Sequence, residues 1–163
     1  MPPTRLHVLD AEAERALAAS LYNEVWRLME LESRTVAQTD AMIHAAHASR
    51  YHWGRVGAPL DAPRGEWLCS RVYAAVGRAE PALWHAHRCL ELLEKSGVAG
   101  ECDTAAAYQV LAVASRMSGD TDGASSWQSK ADQAVWAVAD QEECQPVEID
   151  LAALQEHIRS TEG

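Results

Sequence analysis

The chain has 163 residues, of which 48% are apolar and 23% charged, so it is long enough for one globular core and has neither a disordered nor a fibrous composition. Its formal net charge of −10 lies almost wholly in the second half: residues 1–81 carry 9 Arg and no Lys against 10 acids, and residues 82–163 carry 5 basic residues against 14 acids. That acidity repels phosphate backbones and anionic lipid, so no nucleic acid and no membrane is expected as a partner.

No window approaches eighteen consecutive apolar residues, and Met1 to Leu9 lack the basic start and apolar stretch of a signal peptide. The expectation is a cytoplasmic chain. The four cysteines, Cys69, Cys89, Cys102 and Cys144, are scattered without a CxxC pair and read as reduced thiols.

Alternating apolar and polar stretches are absent and helix formers dominate, which predicts an all-α chain. Asp10 can cap a first helix reaching about Ser33, with Leu17, Leu21, Val25 and Leu28 on one stripe. A second helix runs from Thr35 to about Trp53 and is ended by Gly54 and Gly57. After the loop Ala58–Pro63, Asp61 or Pro63 starts a third helix that stops near Gly77. Pro81 opens a fourth, closed by Gly97; Asp103 or Thr104 starts a fifth ending near Gly119; Thr121 or Asp122 starts a sixth reaching about Glu142. A short seventh, from Asp150 to about Arg159, would bury Leu151, Leu154 and Ile158. The reading is therefore one domain of three antiparallel hairpins, at about 10–57, 61–97 and 103–142, with a capping helix at about 150–159.

Superimposing Gly77 on Gly119, a shift of 42 residues, also brings Tyr73 onto Ser115, Ala82 onto Ala124 and Cys89 onto Ala131. The order Tyr73, Gly77, Ala82, Ala86, Cys89, with ALWHAHRCLELLEKSG at Ala82–Gly97, resembles the tetratricopeptide repeat. The third hairpin, through Tyr108, Leu111, Ala112, Gly119, Ala124 and Ala131, resembles it less closely. The resemblance covers roughly residues 63–138 and extends to the first hairpin by spacing. It implies a solenoid of helical hairpins, a common platform for protein partners, and the exposed end of such a stack can pair with a second copy as a homo-oligomer.

A further shift of 42 puts Asp40, His44 and His47 at the places of Ala82, Ala86 and Cys89. At 100° per residue Asp40, His44, His47 and Tyr51 share an arc of about 60°. If that arc faces inward, its polar groups need partners, because an unsatisfied buried polar group costs roughly 1–3 kcal/mol. Two solutions compete. In the first, His44 and His47 ligate a divalent metal, with Asp40, Glu24 on the first helix, Glu66 on the third and His85 on the fourth as further candidates. A glutamate, Glu66 above all, would act as third ligand or base, and Tyr51 or Arg71 would orient an anion; the site would take a metal or a small polar ligand and support metal-assisted chemistry. In the second, the stripe is a hydrogen-bonded network without metal, Asp40 orienting His44 and Arg50 or Arg71 pairing with Glu24 or Glu66. The chain would then be a non-catalytic scaffold for a protein partner.

Other patterns carry less. HExxH, ExxH, GxSxG, GxGxxG and P-loop motifs are missing. The six tryptophans, nearly one per long helix, read as packing anchors, with Trp53 and Trp67 as candidate walls of a pocket beyond the polar stripe.

Overall fold

The computed structural model describes residues 9–138, and over them the chain forms six helices with no strand among the described residues. They are α1 (Ala11–Met29), α2 (Val36–Val56), α3 (Asp61–Ala75), α4 (Ala79–Ser96), α5 (Glu101–Met117) and α6 (Thr121–Ala137). The seventh helix expected at Asp150 to Arg159, and the stretch toward Glu142, lie outside the described residues.

The helix ends are chemical. Asp10 accepts a hydrogen bond from the Ala13 backbone N–H at 2.8 Å. Thr35 and Gln38 form a reciprocal capping box, the Thr35 N–H donating to Gln38 Oε1 and the Gln38 N–H to Thr35 Oγ1. Asp120, one residue ahead of the expected start, caps α6 by accepting from the Gly123 N–H. Gly54 does not end α2, which continues to Val56 before Gly57. Gly77 and Gly119 both adopt left-handed backbone, with φ of 73° and 84°, as their superposition requires.

Each helix packs on its successor, and α3 also packs on α5. Small residues make the close approaches. Ala82 and Ala124, and Cys89 and Ala131, are buried in pairs, matching the 42-residue shift. Ser49 Oγ donates to Ala18 O from α2 to α1, and Ser70 Oγ donates to Ala82 O from α3 to α4, each at 2.9 Å. Val25, Leu28, Met42, Ala45, Ala46, Leu68, Cys69 and Val72 form one apolar cluster across α1, α2 and α3. A second joins α3, α4 and α5, and Trp67 packs against both. Leu17, expected in the α1 stripe, is exposed, as are Trp84 and Trp136, so the tryptophans are not uniformly packing anchors.

α2 and α3 approach closely at Gly65, where a Cβ would lie 2.5 Å from Arg50 Cδ and 3.1 Å from Arg50 Cα. Because Arg50 backbone is part of that contact, no rotamer change relieves it. Gly65→Ala is expected to cost about 1–2 kcal/mol, as overpacking outweighs the gain in helix propensity. Urea unfolding checks this; a stabilised variant would show that the helices separate freely.

Candidate functional site

One face of α3 organises the polar interior. Taking Cys69 as zero, Tyr73 lies at about 40° and Glu66 at about 60°, while Arg71 lies at about 200°, on the far side. The first three meet α2 and α4. Glu66, 7% exposed at its side chain, accepts from Arg50 Nε on α2 at 2.8 Å and from His85 Nδ1 on α4 at 2.7 Å. His47 Nε2 lies 2.9 Å from the Tyr73 hydroxyl, a hydrogen bond from α2 to α3. The His47 and His85 rings stand edge to face with centroids 5.1 Å apart, and Tyr73 stacks on His85 at 5.6 Å. Cys69 Sγ completes the cluster: one donor atom each of His47, Cys69 and His85 lie within 4.8 Å of one another.

Electrostatics favour a neutral imidazole and a protonated thiol here. Burial, then the neighbouring His85, pushes His47 down, against the pull of Glu66. Burial opposes ionisation of Glu66, but the hydrogen bond from His85 and the Arg50 guanidinium outweigh it and hold the carboxyl below its usual range. With Glu66 ionised, the His85 Nδ1–H donates to it, and Nε2 lies on the ring edge away from the carboxylate. Burial, with Glu66 nearby, pushes Cys69 up to about 12.

The residues named from sequence divide. His47, Glu66 and His85 come together. Asp40, His44 and Tyr51 do not join them: all three are exposed, Tyr51 by 58%, and the expectation that the stripe faces inward is corrected. The physical reason is phase. The buried residues of α2 at the places of Ala82, Ala86 and Cys89 are Met42, Ala46 and Ser49, a shift of 40 rather than 42. Two residues rotate a helix by about 200°, which exchanges core for solvent. His47 sits at the edge of the exposed arc and still reaches α3 and α4.

Glu24 does not approach the site; its carboxylate pairs with Arg27 one turn along the exposed side of α1. Arg71 is buried, but its guanidinium lies 4.8 Å from the centroids of both Trp26 and Trp67, between α1 and α3. The expected pairing of Arg50 with Glu66 is present. Cys69 and Tyr73 were missed as site residues, although their spacing from Glu66, i+3 and i+7, would have placed all three on one face. Of the cysteines read as reduced, Cys69 and Cys89 are buried free thiols, whereas Cys102 is disulfide-bonded.

A groove of about 790 Å³ opens elsewhere, lined by Tyr22, Trp53, Pro63, Trp67, Cys102 and Val138 among others. Trp53 and Trp67 thus do share a pocket wall, as their positions around the 58–63 loop predicted. Among the described residues no helix is long and apolar enough to cross a membrane. Compared with protein-family models, with curated proteins and with solved structures, the chain has no significant match.

Proposed function

We propose that the chain binds a divalent metal of the zinc class between α2, α3 and α4, through His47, Cys69 and His85, within a tetratricopeptide-like array of helical hairpins. The observation that carries this is the convergence of two imidazoles and a thiol within 4.8 Å. Zinc bonds of about 2.0–2.3 Å in a tetrahedron set donors about 3.5 Å apart, so closing the site needs only small side-chain rotations. A thiol with two imidazoles favours zinc over magnesium or calcium, which prefer oxygen. Glu66 behind His85 supplies the carboxylate that commonly orients a ligating histidine. A free thiol with a pKa of about 12 stays protonated at neutral pH, so binding must release its proton. Three protein ligands leave a fourth position for water or a small polar ligand, where the ion would act as a Lewis acid.

The repeat reading draws support from the paired left-handed glycines and from the buried Ala82–Ala124 and Cys89–Ala131 pairs. A second reading, a scaffold for a protein partner, draws on the apolar groove.

The test is metal analysis of chain purified without an affinity tag after zinc supplementation. About one bound equivalent is expected, and cobalt substitution should give a thiolate-to-metal charge-transfer band. Zinc near zero under supplementation, with no such band, would overturn the proposal.

A further inference from the structure

The hydrogen bond between His47 and Tyr73 bears on how an ion would enter the site, an inference that rests on the metal reading above. Tyr73 lies one turn beyond Cys69 on the same face of α3, and its hydroxyl stands 2.9 Å from His47 Nε2. The His47 nitrogen turned toward α3 is therefore already engaged. A neutral imidazole offers one N–H and one lone pair, and a hydroxyl can meet either. A phenol keeps its proton at neutral pH, and burial, with Cys69 nearby, raises Tyr73 further. The phenol is the better donor of the two and the imidazole nitrogen the better acceptor. The bond accordingly runs from the Tyr73 O–H to the Nε2 lone pair, with the proton of His47 on Nδ1. At His85 the Glu66 carboxylate takes Nδ1 instead and leaves Nε2 on the far edge of the ring. The two imidazoles are thus not equally ready for an ion: Glu66 orients one, and Tyr73 occupies the other.

We propose that Tyr73 is a positioning residue that gates the metal site, its hydroxyl holding the His47 Nε2 lone pair in the metal-free chain and giving it up when a divalent ion of the zinc class binds. The exchange involves no covalent step: the hydroxyl leaves Nε2, and the freed lone pair goes to the ion. Such a gate lowers affinity for every ion, and it excludes best those that bind imidazole weakly, such as magnesium and calcium. The ring has a separate task. It stacks on His85 at 5.6 Å and meets His47 edge to face at 5.6 Å, so Tyr73→Phe keeps both ring contacts and removes the donor alone.

The test uses the full chain with its thiols reduced. Long-range nitrogen–proton NMR of the metal-free, histidine-labelled protein should find His47 protonated on Nδ1, and in Tyr73→Phe its Nε2 resonance should shift to that of an acceptor without a partner. Zinc titration against a competing chelator should show Tyr73→Phe binding roughly threefold to tenfold more tightly than the parent, the equivalent of one net hydrogen bond. A metal-free parent with the proton on Nε2 overturns the gate, because Tyr73 is then an acceptor and the lone pair is free. Equal or weaker zinc binding by Tyr73→Phe, with the parent loading about one equivalent, overturns the gate and leaves the metal site standing. Zinc bound by neither protein overturns the metal reading and the gate together.

Discussion

Cys69→Ser is expected to lower zinc affinity by at least about a hundredfold, the upper end of what loss of a supporting residue costs a metal site, because here a ligand itself is removed. The loss should appear in zinc titration monitored with a competing chelator, with helical content unchanged in the metal-free protein. Cys69 also packs in the apolar cluster with Leu28, Met42 and Val72, so a purely packing role predicts a stability change and no metal phenotype. Cys89→Ser supplies the control. Cys89 is equally buried, and burial likewise pushes its thiol up to about 12, but it lies outside the His47–His85 cluster. If the two serine variants bind zinc alike, the thiol of Cys69 is not a ligand.

Arg50→Met should destabilise the fold by about 3 kcal/mol at neutral pH, as expected when one member of a buried ion pair is removed and the other is left charged. The value is set at the low end because the Arg50 side chain is 23% exposed and its loss admits some water to Glu66. Adding Glu66→Gln should recover much of the loss. The pH dependence follows from the same pair. Glu66 is held below its ordinary value in the fold, so its stabilising contribution is complete above the unfolded carboxylate range and disappears as pH falls through the folded value. His47 is also held below its ordinary 6.5, so from about that pH downward the unfolded chain takes up its proton first and stability falls. The parent should therefore weaken on acidification, and the penalty of Arg50→Met should shrink as pH falls through the carboxylate range and Glu66, no longer beside the guanidinium, becomes neutral in the variant. Urea midpoints across that range measure it; a penalty independent of pH would mean that Arg50 acts by packing alone.

Much of the architecture was legible because its punctuation is local. Asp10, Thr35 with Gln38, and the left-handed Gly77, Gly97 and Gly119 mark ends through backbone chemistry that no distant contact alters. The phase of α2 was not legible. Its alanines do not mark the buried face, since Ala37 and Ala41 are exposed while Ala45 and Ala46 are buried, and the polar residues pointed to the wrong side. Asp40, His44 and Tyr51 of α2 therefore face solvent, Glu24 of α1 and Arg71 of α3 also lie away from His47, and of the residues named only Glu66 and His85 stand beside it. Cys69 was passed over for a different reason: a lone thiol acquires chemical meaning only once imidazoles from two other helices stand beside it, and that proximity is tertiary.

Trp67 packs against every one of the three apolar clusters, the third being Cys89, Leu93 and Ala107, and Arg71 joins it to Trp26 on α1. A repeat array with only nearest-neighbour contacts can peel from either end, one element at a time. Here the outermost element cannot fray without withdrawing a ring from the guanidinium that braces the middle. Loosening at α1 is thereby transmitted to α3, and the packed helices are held to melt as one cooperative unit.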